Sequence, residues 1–168
     1  PDAMTHFLDE KNIKLFTTHH VYTEAEMHSR HEIMLENYVK QVNIEALTMI
    51  DMVRRDILPA ISRFTGKLAE SGRAKREFCI GIDTDYEFDT IASLSELTKA
   101  IMTHTVTLEN YLEKLEGEKD IIALAHGYRD LVFETMELLR AAVDEAETLT
   151  GSDYWPYPTY GDLMFSVK

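Results

Sequence analysis

"TEAEMHSRHEIMLENYVKQVNIEALTMIDMVRRDILPAISRFTGKLAES", residues 23–71, decides the fold class. Thr23 followed three residues later by Glu26 is a capping box, in which two side chains satisfy amides that a helix start leaves without partners. Behind it Met27, Met34, Tyr38, Val42, Ala46, Met49, Val53, Ile57, Ile61, Phe64 and Leu68 recur mostly every three or four residues, as one face of a helix requires. At 1.5 Å per residue the pattern extends roughly 70 Å. Pro59 interrupts it by removing an amide donor, which predicts a kink or break over residues 55–59.

The flanks read the same way. Residues 7–18 form a short predicted helix ending at a His19–His20 turn, and residues 72–85 lose the period and gain glycine, as an interhelical connection does. Over residues 86–116 Leu94, Ile101, Leu108 and Leu115 stand seven apart, with Leu97, His104 and Tyr111 beside them. Gly117 ends that element. Residues 118–149 then place Ile121, Ala125, Tyr128, Val132, Met136, Leu139, Val143 and Ala146 on one face, and Gly151 suits the left-handed position after a helix. The expectation is an all-α chain, one helical domain over residues 1–168, built as a bundle of long antiparallel helices with an extended aromatic and proline-containing tail.

Two segments ask for a packing partner. "VNIEALTMIDMV", residues 42–53, is apolar on nearly every side, with Val42, Ala46 and Val53 on one side beside Met49 of the same periodic face, Ile44 and Leu47 round the other and Met52 in a third direction, so a helix here is buried on more than one side. "SDYWPYPTYGDLMFSV", residues 152–167, holds Trp155, Tyr157, Tyr160 and Phe165. Aromatic area left in water forfeits the burial that ordering gains, and the prolines hold the backbone extended, so these four are expected to dock on a surface with Trp155 as anchor.

Composition excludes several classes. Seventeen Lys and Arg against 30 Asp and Glu leave a net charge of −13, which opposes nucleic acid and anionic lipid. A single cysteine, Cys79, builds no internal disulfide or cysteine zinc site, and no apolar run reaches the ~20 residues that span a bilayer. A cytoplasmic protein is expected. The chain opens on Pro1, with its first methionine at Met4, which suggests a piece of a longer polypeptide as readily as a whole protein.

The search for chemistry finds little. His19, His20, His28 and His31 gather near Glu24, Glu26 and Glu32, and His28 and His31 share a helix face; they are the metal candidates, set against solvated histidines on an acidic helix. Glu-x-x-His, His-Glu-x-x-His, Gly-x-Ser-x-Gly and Gly-x-x-x-x-Gly-Lys are all absent. Arg73, Lys75 and Arg76 offer a basic stretch for a phosphate, or a solvated loop. Asn43 and Glu45 lie inside the apolar segment, where polar groups fix register or an interface. No catalytic or cofactor-binding residue is identified.

"VYTEAEMHSRHEIMLENYVKQVNIEALTMIDMVRRDILPA", residues 21–60, and "ELLRAAVDEAETLTGSDYWPYPTYGDLMFSV", residues 137–167, in that order, closely resemble the C-terminal region of type III glutamine synthetases. The resemblance covers essentially the whole chain and is least distinctive over residues 67–117. It implies a parent enzyme that ligates ammonia to glutamate with ATP and magnesium or manganese, through a γ-glutamyl phosphate, in a large homo-oligomer. The family's metal-binding glutamates and phosphate-contacting arginines belong to an upstream catalytic domain without counterpart here, so the resemblance implies a non-catalytic helical region. On this reading the chain packs on its own catalytic domain or on neighbouring subunits and is inactive alone. The rival readings are a self-contained metal-dependent helical enzyme using the histidine cluster, and a free adaptor module.

Overall fold

The expected capping box forms. Glu26 N–H donates to Thr23 Oγ1 at 3.2 Å and Thr23 N–H donates to Glu26 Oε2 at 2.7 Å, and that backbone donor holds the Glu26 carboxyl below the usual glutamate range. The helix it starts belongs to a computed structural model that describes residues 1–158 and 160–165, the Tyr160 side chain excepted. Its elements are α1 (Asp2–Thr5), α2 (Glu10–Thr18), α3 (Glu24–Met52), α4 (Leu58–Phe78), α5 (Asp85–Leu115), α6 (Ile121–Gly127), α7 (Glu134–Leu149) and α8 (Tyr160–Phe165). π-helical segments Val53–Ile57 and Tyr128–Phe133 join α3 to α4 and α6 to α7. Among the described residues there is no strand, so the all-α class stands.

The first π segment is what Pro59 does to the long helix. Proline cannot donate to the carbonyl of Arg55, four residues back, and its ring crowds that oxygen. The chain answers with a wider turn, in which Leu58 N–H donates to Val53 O, five residues away. The helix therefore continues instead of breaking. The second π segment contains no proline, but both segments share a side-chain spacing. Val53–Ile57–Ile61 and Tyr128–Val132–Met136 are two successive steps of four, which an α-helix would carry away from its buried face; all six residues are buried.

Contacts divide the chain into two compact units, residues 1–48 with 107–136 and residues 49–106 with 137–168. In the first, Met27, Leu35, Val42 and Ala46 of α3 are buried, as are Leu108 and Leu115 of α5 and Ala125 of α6. α1 is held there by the Asp2 carboxylate on Arg129 and by the His31 ring, whose Nε2 lies 3.0 Å from the Met4 carbonyl. In the second, Ile61, Phe64 and Leu68 of α4, Leu94 and Ile101 of α5, and Leu139 and Ala146 of α7 are buried. α4 and α5 form an antiparallel hairpin, tied by Lys75 to Glu87 at 2.5 Å and by Arg76 to Thr84 at 2.9 Å.

Three boundaries differ from expectation. Residues 72–78, read as loop, complete α4, because Ala74, Lys75, Arg76 and Glu77 favour helix and Arg73 pairs with Glu77 one turn on at 3.7 Å. Only residues 79–84 turn, with Gly81 at φ 96°. The last long helix starts at Ile121, where the Asp120 side chain accepts from Ile122 N–H at 3.0 Å. Gly151 does not adopt positive φ. Thr150 closes α7 instead, its hydroxyl and amide both donating to Ala146 O, and Gly151 is needed for close approach, since a Cβ there would stand 3.0 Å from Phe64 Cε2.

The tail is also less extended than its prolines suggest. After Gly151 the backbone turns, with Tyr154 N–H donating to Gly151 O at 2.8 Å, and residues 160–165 coil into α8. The Tyr154 ring meets Phe64 with centroids 5.3 Å apart. Of the stretch 152–167, residue 159, the side chain of the expected docking residue Tyr160 and residues 166–167 lie outside the described residues.

Candidate functional site

α3 carries the most unusual surface of the first unit. Its buried residues Leu35, Val42 and Ala46 lie along one side, and at about 100° per residue Ile33, Ile44 and Leu47 fall on the opposite side. These three, with Met34, are between 50% and 64% exposed. Met34, expected on the buried face, is therefore a surface residue. A helix that buries one side in its own chain and shows large aliphatics on the other is shaped to be covered twice. Leu47 belongs to this second stripe.

The second unit supplies the remaining expected contact residues. Met49 and Met52 are half-buried, as are Trp155 and Tyr157. The Tyr157 hydroxyl donates to Asp56 Oδ2 at 2.7 Å; burial first, and then this bond, push its pKa up to about 12. Phe165, with Leu163 and Met164, is exposed on α8. Around the α4–α5 turn Phe78, Ile80, Tyr86 and Phe88 are exposed as well, a group the sequence reading missed because it divided them between an interhelical connection, residues 72–85, and the helix expected after it.

The histidines do not converge. His31 is buried, Nε2 against the Met4 carbonyl and ring 6.4 Å from Phe7, while His19, His20 and His28 are exposed. His20 adopts φ 54°, and Val21 N–H donates to Phe16 O while His20 N–H donates to Thr17 O. That pair of bonds is a Schellman ending for α2, so His20 stops a helix. Among the described residues no three His, Cys, Asp or Glu side chains are arranged to hold a metal ion. The donors among the described residues thus do not fit a magnesium or manganese site.

The polar residues inside the apolar segment have separate structural partners. Asn43 Oδ1 accepts from the Tyr128 hydroxyl at 3.1 Å, a contact that sets the register of α3 against the second π segment, and burial raises the Tyr128 pKa. Glu45 accepts from Gln41 at 3.0 Å on the exposed side. Arg73, Lys75 and Arg76 ride on the last turns of α4, in the ion pairs and hydrogen bonds already described. Among the described residues no helix is long and apolar enough to cross a membrane.

Known proteins share this sequence. Residues 1–76 match the family described as glutamine synthetase C-terminal domain. Over its full length the chain is 33% identical to a glutamine synthetase of Butyrivibrio fibrisolvens, covering 24% of that protein. It is 29% identical, over 98% of its length, to a type-3 glutamine synthetase of Dictyostelium discoideum, and 26% identical, over 99%, to a glutamine synthetase of Bacteroides fragilis; it covers 23% of each. The chain thus spans about a quarter of the length of the curated relatives it matches. A mostly helical chain with exposed apolar surfaces, similar along its whole length to about one quarter of these proteins, is thus homologous to the C-terminal region of the glutamine synthetases, type-3 enzymes among them.

Proposed function

We propose that this region is a non-catalytic packing module of an ATP-dependent glutamate–ammonia ligase. The observation that carries the reading is the double-sided α3, which shows Ile33, Ile44 and Leu47 opposite its own buried face. Fully burying such a side chain contributes on the order of 1.5–3 kcal/mol, so three in a row are worth covering. The cover is the upstream catalytic domain or a neighbouring subunit of a cytoplasmic homo-oligomer, which also takes Met49, Met52, Trp155, Tyr157, Tyr160 and Phe165. ATP and magnesium or manganese belong to the catalytic part of the parent enzyme. Residues 1–168 act as one helical domain in this role and make no glutamine alone.

The test is Ile44→Glu with Leu47→Glu in the glutamine synthetase that carries this region. Both residues face solvent within the chain, so its helicity is expected to stay unchanged while the mass of the assembled enzyme and its glutamine formation both fall. An assembly of unaltered mass and activity would remove the reading. Emission from Trp155, the only tryptophan of this region, gives a second readout: it is expected to be blue-shifted and poorly quenched in an assembled enzyme whose other tryptophans are replaced by phenylalanine, relative to this region alone.

A further inference from the structure

Between the last turns of α4 and the first turns of α5, inside the second unit, runs an open groove of about 440 Å³. Leu68, Phe88 and Ile91 are among its lining residues, with Ala69 and Arg73 beside them on α4. At about 100° per residue Arg73 falls on the opposite side of α4 from the buried Phe64. The groove therefore opens away from the side chains that α4 sends into the core. Phe88, one of its walls, is left exposed to water.

α8 lacks a cover of its own. Leu163, Met164 and Phe165 are consecutive, so they point about 100° apart around the helix, and all three are exposed. Six residues are too few to hold a helix in water by themselves, and a helix apolar on every side has no face to give to solvent. Charge matches it to the groove. Residues 152–165 hold Asp153 and Asp162 and no Lys or Arg, whereas the exposed charged residues lining the groove are Arg73, Arg76 and Glu77. Glu87 also lines it, but its carboxylate is buried and already bound to Lys75 at 2.5 Å.

The chain's own α8 does not reach this groove. Tyr154 meets Phe64 and Tyr157 bonds to Asp56, so the tail runs back along the helix toward its π segment, away from the groove. Gly72, which lines the groove, lies about 24 Å from Asp56 at 1.5 Å per residue. From Tyr157 to Leu163 the chain covers about 15 Å, even if fully extended as far as Tyr160 and coiled only from there. We propose that α8 of one copy docks in the α4–α5 groove of a second copy of this chain. Leu163, Met164 and Phe165 lie on Leu68, Phe88 and Ile91, and the acidic tail runs beside Arg73 and Arg76. The proposal rests on the reading that a neighbouring subunit covers the tail, and deepens it by naming the surface that takes Phe165.

The test places the photo-reactive p-benzoylphenylalanine at Met164 in the assembled glutamine synthetase that carries this region. Illumination is expected to give covalent dimers on a denaturing gel, with the peptide holding position 164 joined to a peptide from residues 68–91. Ala69 and Arg73 are exposed, so Ala69→Trp, which fills the groove, and Arg73→Glu, which reverses its charge, are expected to keep the helical circular dichroism. Each should lower the dimer yield about tenfold. Should Ala69→Trp fail to fold, Arg73→Glu and the mapped peptides still decide. Absence of dimers, a cross-link within one chain, or an undiminished yield in either folded variant would overturn the proposal. A cross-link to the catalytic part would overturn it as well, while leaving the packing reading in place.

Discussion

The Tyr157 hydroxyl donates to Oδ2 of Asp56, 101 residues earlier and inside the π turn that Pro59 imposes. A wide turn created by one proline thus holds the tail that carries two others. Burial, and then the Asp56 bond, raise the Tyr157 pKa from the usual value near 10 to about 12, so the fold prefers the neutral phenol. The sign follows from linkage: this contribution to stability is fully present below pH about 10 and is lost as pH rises through about 12. Denaturant unfolding followed across that window should show a loss of stability in the parent protein that is smaller in Tyr157→Phe. Identical pH profiles for the two would show that the bond does not persist in solution.

His20 holds a left-handed conformation that glycine adopts freely and other L-residues do not. His20→Gly should therefore raise stability by about 1 kcal/mol, seen as a higher melting temperature, because the Schellman bonds to Phe16 and Thr17 use only backbone atoms. A metal role for His20 would predict the opposite, loss of stability on substitution in the presence of the metal.

Gly151 faces Phe64 so closely that a methyl group there stands 3.0 Å from the ring. Gly151→Ala is expected to cost about 1–3 kcal/mol, the usual penalty of overpacking, measurable by chemical denaturation. Phe64→Leu in the same chain should recover part of that loss, because the smaller side chain vacates the contested space.

The capping box at Thr23 makes a prediction on the acid side. Thr23→Ala should destabilise the protein by about 1 kcal/mol through loss of the side-chain cap. Glu26 has its folded pKa depressed, first by the Thr23 amide and then by its hydroxyl, so its contribution is present above the ordinary glutamate pKa and is lost as pH falls through the folded value. Stability measured against pH should therefore fall less steeply on the acid side in Thr23→Ala than in the parent protein.

Much of this protein is decided by sequence alone, for local reasons. Side chains three and four apart, a capping box and a proline act over one or two helical turns, so the long helices apart from the last turns of α4, the start of α3 and the disturbance before Pro59 are legible without a fold, whereas the short α1 and α8 are not. The second π segment is legible in principle too, in the doubled step of four at Tyr128–Val132–Met136, but it is marked by no single residue. The apolar residues on several sides of residues 42–53 also read from composition, whereas the 53% exposure of Leu47 within the chain is visible only in three dimensions.

Other features arise only from residues far apart in the chain. Gly151 answers to Phe64, far earlier in the chain, and its close approach cannot be seen from a helix end that any glycine would suit. Asn43 meets Tyr128, and Tyr157 meets Asp56, because helix registers bring them together. The buried Glu87 is the sharpest case. In the sequence it is one acid among thirty on a helix start, and only the crossing of α4 over α5 takes it out of water, gives one oxygen to Lys75 and Ser71, and leaves the other without a donor. Periodicity records how a helix meets its own neighbours along the chain; burial of a particular oxygen depends on which helix lies across it, and that is a property of the tertiary structure.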